Sequence, residues 1–270
     1  MGRPMRKPWQ REAPTSDAPE APNPREVGAD RGDRYRAYVA AHLDSDDAEK
    51  GIRDAIGANF DTMGLIQRDL LVAHGLRPDG VVVDVGCGAG RLALPLSTYL
   101  TEEGHYTGTD VVPELVRYAR RLVNRPDWKF RVVDQLRIPA PRDSADIVCF
   151  FSVMTHLRHE HSYLYLRAAK RVVKPTGRIV VSFLEFATHA HWAVFEHNYE
   201  DPFADKPLDQ FLSRDALQAF AKHLDLDIVA IHGGDERAIP LREPITMDNG
   251  TVYTDAGSLG QSFAVFAPRS

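Results

Sequence analysis

The sequence predicts an α/β domain built on a doubly wound, mostly parallel sheet, and three observations carry that prediction. Val81, Val82, Val83 and Val85 form a β-branched run without polar alternation, the pattern of a strand buried on both faces of a parallel sheet. Gly86, Gly88 and Gly90 alternate through the turn that follows, and a leucine-rich helical pattern begins directly after them. Downstream, three β-α repeats lead into strand, helix and strand, the order in which a doubly wound sheet is assembled.

Asp84 stands one residue before the end of the first strand. A buried carboxylate there needs donors, and the nearest in sequence are the backbone N–H groups of the glycine turn. The turn reads Asp-x-Gly-x-Gly-x-Gly, and the position that a dinucleotide fingerprint reserves for its third glycine holds Arg91. That spacing suits a smaller, zwitterionic ligand tail better than a pyrophosphate. On these residues the chain resembles the class I S-adenosylmethionine-dependent methyltransferases, whose first motif has this glycine spacing after a buried strand. The resemblance extends from Val81 to about Ala267 and implies S-adenosyl-L-methionine as cofactor. It places Asp84, Gly86, Cys87, Gly88, Gly90 and Arg91 among the residues that face it. It also implies a seven-stranded sheet of order 3-2-1-4-5-7-6, with strand 7 antiparallel and helices on both faces.

A chain of 270 residues, 43% of them apolar, can fill one large α/β domain with appendages or two small ones. Its two cysteines, Cys87 and Cys149, imply no disulfide framework and suit a reducing compartment. No apolar run approaches the roughly 18 residues of a membrane span, and the N-terminus has no apolar signal core. The expectation is a soluble, cytoplasmic protein with no membrane partner. A net charge of −5 without a dense Lys/Arg stripe argues against a nucleic-acid substrate. Nothing in the sequence fixes an oligomeric state.

Met1 to Asp30 holds six of the eighteen prolines and almost no large aliphatic residue, and reads as a disordered tail. Residues 31–75 carry helical patterns over 34–43, 46–56 and 61–74. They form an N-terminal helical cap in which Tyr35, Tyr38, Phe60 and Met63 could face a ligand or simply pack. The Rossmann-like, cofactor-binding domain then spans 76–270. Its first helix reads as 91–103, closed by Gly104.

The second strand, 105–109, ends at Asp110, twenty residues beyond Gly90. An acid there can accept hydrogen bonds from both ribose hydroxyls of a nucleoside, with Val111 against the adenine; the competing reading is an N-cap for the helix that Pro113-Glu114 announces. A third strand, 129–133, runs into Asp134-Gln135, where the resemblance implies an adenine contact and turn chemistry offers an ordinary Asp turn. The fourth strand is 145–151. Ligands of open parallel sheets bind outside the carboxyl ends of the strands, which puts Phe151 and Ser152 at the reactive end of the cofactor.

A helix over 158–173, a Lys174-Pro175-Thr176-Gly177 turn and a fifth strand over 178–184 follow. Ser213 caps a helix to His223, and 227–232 and 262–267 are the sixth and seventh strands. Between them Asp248-Asn249-Gly250 separates Ile245-Thr246-Met247 from Thr251-Val252-Tyr253, a hairpin signal.

Methyl transfer requires an aligned nucleophile, exclusion of water and, for an alcohol or phenol, a base; a carboxylate acceptor needs none. Six of the eleven histidines lie between His156 and His197. His156, just past the fourth strand, is the leading candidate base, with His191 and His189 next; a histidine bonded to backbone is the competing reading. His159 and His161 are expected to face solvent. The stretch from Phe186 to about Phe211 reads as an extended insertion forming an acidic substrate wall. His189, His191, His197 and Asp201 match no compact zinc pattern, so no metal is expected. The expected activity is methyl transfer to a small molecule, at a hydroxyl or carboxylate oxygen. N-methylation of a small molecule, protein or tRNA group is the alternative. A nicotinamide-dependent dehydrogenase is disfavoured by Arg91 and the glycine spacing, and a cofactor-binding module without catalysis stays open.

Overall fold

The computed structural model describes residues 35–43, 48–200, 207 and 209–269; the expected tail and Asp201 lie outside them. Three helices come first: α1 (35–43), α2 (Ala48–Ile56) and α3 (Phe60–Ala73). The alternating part runs β1 (Val81–Val85), α4 (Ala93–Tyr99), β2 (His105–Asp110), α5 (Pro113–Val123), β3 (Lys129–Val132) and β4 (Ala145–Phe150). A 3₁₀ turn at Met154–His156 leads to α6 (His159–Val172) and β5 (Val173–Phe183), then α7 (His189–Glu200), α8 (Arg214–His223) and β6 (Leu226–His232). Four two-residue strands, β7 (Ile239–Pro240), β8 (Ile245–Thr246), β9 (Val252–Tyr253) and β10 (Ala256–Gly257), precede β11 (Ser262–Pro268).

The main sheet has seven strands in the order β3-β2-β1-β4-β5-β11-β6, and β11 runs antiparallel to both its neighbours. With β11 as the seventh strand of the sheet, this is the expected order. β1 lies parallel between β2 and β4, so both its edges are paired. Val82 packs on one face with Tyr106 and Ile147, and Val83 and Val85 on the other with Val148 and Phe150. Both faces are covered, which is why β1 shows no polar alternation; full burial of each valine is worth about 1.5–3 kcal/mol. The N-terminal helices sit at the exit of β1: Val39, Ile52, Ala55 and Phe60 pack with Ala89 of the glycine turn and with Leu115 and Tyr118 of α5. The expected hairpin forms, with β8 and β9 paired antiparallel. No described helix is long and apolar enough to cross a membrane.

Three local expectations are corrected. The Lys174-Pro175-Thr176-Gly177 run is a bulge inside β5 and not a turn before it: Ala145 and Ile147 of β4 pair with Val173 and Arg178, so most of the run loops out between two paired positions. Lys174 Nζ closes the bulge on Asp146 at 2.8 Å. The helix expected over 91–103 is shorter, because the tight turn continues through Leu92 and Leu100 is already extended. The segment after Phe186, expected to be extended, contains α7. Its Trp192, Phe195 and Tyr199 recur at helical spacing and make ring contacts with one another.

Candidate active site

The turn after β1 is pinned to the end of β2, since the N–H groups of Gly86 and Cys87 both donate to Thr109 O, at 2.7 and 2.9 Å. Asp110 completes the clasp. One carboxylate oxygen accepts from Gly88 N–H and the other from Val112 N–H, each at 2.9 Å. Burial raises the pKa of Asp110, while these backbone donors oppose the rise. Gly88 holds φ +52°, which L side chains rarely adopt, and a Cβ there would stand 2.8 Å from Ile56 Cδ1 of α2 and push it aside.

The partner of Asp84 is a correction. Its carboxylate accepts from the Tyr106 hydroxyl at 2.6 Å and lies 3.6 Å from Cys149 Sγ, with no bond to the turn. The side chain of residue 84 falls on the sheet face that carries Tyr106, so neighbouring strands supply the donors. Burial pushes its pKa up to about 6, against the pull of those two bonds. Burial likewise keeps Cys87 and Cys149 protonated, which makes neither a nucleophile.

These groups open into one cavity of about 510 Å³ at the carboxyl ends of the central strands. Asp84, Gly86, Cys87, Gly88, Arg91 and Asp110 line it. So do Val111, Phe151, Ser152 and His156. The structure does not bring the remaining candidates there. Gly90 faces Ala119 of α5, whose Cβ would lie 3.1 Å from an added methyl, and so serves helix packing. Asp134 and Gln135 are exposed beyond the cavity wall, which Val133 forms instead. His189 is exposed at the start of α7.

His191 is buried away from the cavity with both ring nitrogens engaged. Nδ1 accepts from Glu185 N–H at 3.0 Å and Nε2 donates to Gly260 O at 3.1 Å, so it fastens α7 to β5 and to the loop before β11. Beside it Glu185 takes both Arg214 nitrogens at 2.9 Å and Ser262 Oγ at 2.6 Å. Burial favours protonation of Glu185, but the Arg214 and Ser262 bonds outweigh it and hold its pKa below the ordinary carboxylate value. His159 is exposed, as expected, and its ring also bonds Phe211 O at 2.9 Å. Among the described residues no three His, Cys, Asp or Glu side chains converge on a common point.

Two lining residues, Gln67 and Asp209, carry no signal in the sequence, and His197 is weighed there only as a metal ligand. α7 presents His197, two turns beyond His189 and His191, and Asp209 follows it into the wall. Of the four cap residues named as able to face a ligand, Tyr35 and Tyr38 of α1 line the cavity, with the Tyr35 ring 5.6 Å from that of His156, while Phe60 and Met63 do not. Burial raises both phenol pKa values, and that of Tyr165 to about 12, so these hydroxyls stay protonated. Gln67, 5% exposed, lines the cavity without a hydrogen bond among the described residues. Nothing in its helical pattern distinguishes it from a surface glutamine.

Residues 82–177 match the family model described as a methyltransferase domain. The ubiquinone/menaquinone biosynthesis C-methyltransferase UbiE of Cupriavidus necator is 26% identical over 220 residues, covering 76% of this chain and 88% of that one. The chain carries a class I S-adenosylmethionine-dependent methyltransferase domain. Its fold is shared with magnesium protoporphyrin IX methyltransferase from Synechocystis, solved with S-adenosylhomocysteine bound, at a TM-score of 0.56 and 16% identity over 88% of this chain and 94% of that one. A Haloferax volcanii methyltransferase in complex with the activator Trm112 aligns at a TM-score of 0.59 and 18% identity, over 87% and 98% of the two chains.

The cofactor of the methyltransferase is S-adenosylmethionine, and the cavity fits it on an observation of its own. Arg91 is turned inward, its Nη2 donating to Ile56 O at 2.6 Å and Gly57 O at 2.8 Å, while its buried Nε has no partner among the described residues. Burial lowers the pKa of this guanidinium to about 10. A buried cation with an unused donor on a cavity wall suits a ligand carboxylate. The Asp84 carboxylate, in its ionised form, suits the ammonium of the same amino-acid tail.

Proposed function

We propose that this methyltransferase acts on a small hydroxylated aromatic molecule and transfers the methyl group to its oxygen. The observation that carries this reading is the company His156 keeps: it lines the cavity with the rings of Tyr35, Tyr38, Phe151 and Tyr165. Flat apolar walls orient an aromatic ring, and His156 is the side chain that accepts its hydroxyl proton at a ring nitrogen. The neighbouring phenols, kept protonated by burial, do not compete for that role. When bound, S-adenosylmethionine supplies a methyl group activated on a sulfonium.

The helices of 35–73 act as a cap that excludes water, since Tyr35, Tyr38 and Gln67 all reach the cavity. Asp84, Gly88, Arg91 and Asp110 serve the cofactor, with Asp110 directed at the ribose. The reading carries with it a cytoplasmic location, in keeping with two free, buried cysteines.

A second reading is favoured by the name of the relatives: transfer to a ring carbon beside the hydroxyl. The same proton removal serves both, because a phenolate is nucleophilic at oxygen and at the adjacent carbons. The test is a screen of phenols, alcohols, carboxylic acids and amines with mass detection of one added methyl group and NMR assignment of its position. Methylated phenols support the proposal, with O-methyl separating the first reading from the second. Transfer confined to amines overturns both.

A further inference from the structure

Gln261 lies between Gly260 and β11 and lines the cavity. Its Oε1 receives two hydroxyl groups, Ser182 Oγ of β5 at 2.7 Å and Ser152 Oγ at 3.3 Å. Ser182 is 1% exposed, and its Oγ already accepts the Ser152 N–H at 2.7 Å. The Ser182 proton therefore needs an acceptor, and Gln261 Oε1 is the one in reach. Turning the amide over would set its NH₂ against that proton and strand a buried donor. The amide is thus oriented by the sheet, and Gln261 Nε2 is left with two N–H donors and no protein partner among the described residues. Ser152, whose N–H anchors Ser182, holds φ +58°, a left-handed conformation that residues other than glycine seldom adopt. Strained backbone and oriented, unspent donors on one cavity wall mark a place where a ligand is read.

We propose that Gln261 is the specificity-determining residue of the acceptor site, its NH₂ donating to an oxygen of the acceptor: the hydroxyl that His156 deprotonates or a carbonyl beside it. The inference rests on the function proposed above and narrows it. An acceptor that offers lone pairs is selected, and one that offers only N–H donors finds no acceptor on Gln261, whose Oε1 is already taken twice.

The test compares wild type with Gln261→Glu and Gln261→Leu, using the best phenol from the screen, titration with S-adenosylhomocysteine and thermal melting. Gln261→Glu keeps the size of the side chain and an oxygen for both serines, but replaces the free donors with an anion. The expected result is a fall in kcat/KM of roughly 10²-fold in Gln261→Leu, the scale of a lost donor to a developing oxyanion, and a larger fall in Gln261→Glu, which also sets an anion against it. Cofactor affinity stays at the wild-type value in both variants, and the melting temperature stays there in Gln261→Glu, which keeps an acceptor for both serines. Ser182→Ala, outside the cavity wall, frees the amide to turn and gives a smaller loss of the same kind. Wild-type kcat/KM in Gln261→Glu overturns the inference and leaves the proposed function standing. A parallel loss of cofactor affinity and melting temperature overturns it too, since that is the result of a merely structural role. Failure of the wild type to methylate any phenol removes the reading underneath, and the inference with it.

Discussion

Two parts of the cavity wall are built from different materials. Around the glycine turn the wall is backbone and short carboxylates, locked by bonds between adjacent strands: Gly86 and Cys87 on Thr109, Gly88 on Asp110, Tyr106 on Asp84. The opposite side, which we propose receives the acceptor, is made of side chains delivered by distant segments, with Tyr35 on α1, His156 on a 3₁₀ turn, His197 on α7 and Gln261 before β11. Strand register fixes the first wall. The second depends on how separate helices pack, and a change in any one of them alters what fits. A constant cofactor suits the former construction, and an acceptor that differs between enzymes of one fold suits the latter.

The comparison breaks most sharply at Gly88. Gly88→Val places a branched side chain at φ +52° and against Ile56, so cofactor binding in calorimetric titration should be lost while circular dichroism still reports a folded sheet. Wild-type affinity in this variant would remove the glycine turn from the cofactor site. On the other wall, His156→Ala should lower turnover by roughly 10² to 10⁴ fold, the usual scale for a lost general base. S-adenosylhomocysteine should bind it as before, and added imidazole should restore part of the rate. Full turnover in the variant would move the base elsewhere, with His197 the next side chain on that wall.

Smaller effects sharpen the division. Asp110→Ala removes a charged acceptor for the ribose and loosens the clasp on Gly88; at about 1.5–3 kcal/mol for such bonds, cofactor affinity should fall about tenfold or more. An unchanged dissociation constant would make Asp110 only a brace between the turn and α5.

The pH dependence of binding tests Asp84. Its pKa is raised to about 6, so below that pH it is neutral and offers nothing to an ammonium. Cofactor affinity should therefore decline by about fourfold between pH 7 and pH 5.5 through this one group, and Asp84→Asn should flatten the curve. The effect on stability has the opposite sign. Between its ordinary pKa and about 6 the folded protein holds a proton that the unfolded chain releases, so this contribution is full at low pH and is lost as pH rises through 6.

The wall around the glycine turn is legible in the sequence because its geometry is local. Val81 to Gly90 and Asp110 are brought together by the two neighbouring parallel strands, and a buried valine run with alternating glycines has few other readings. Asp84 was recognised as buried, but its donors belong to β2 and β4, which no spacing within the turn reveals. On the opposite wall histidine clustering is a partial guide, since His156 lines the cavity and His189 and His191 do not. His189 and His191 stand beside each other in sequence, yet the helix turns one to solvent and the other onto Glu185 and Gly260. The aromatic spacing of Trp192, Phe195 and Tyr199 held the helical signal that would have placed His197 toward the cavity instead. Gln67 and Gln261 carry no signal of their own, since an amide becomes a recognition group only when its partners fix it.

Titration of S-adenosylhomocysteine into wild type, Asp110→Ala, His156→Ala and the double variant tests the separation of the two walls most directly. The account predicts that His156→Ala binds like wild type and that the double variant binds like Asp110→Ala, with no further loss. A dissociation constant raised by His156→Ala as much as by Asp110→Ala would contradict it.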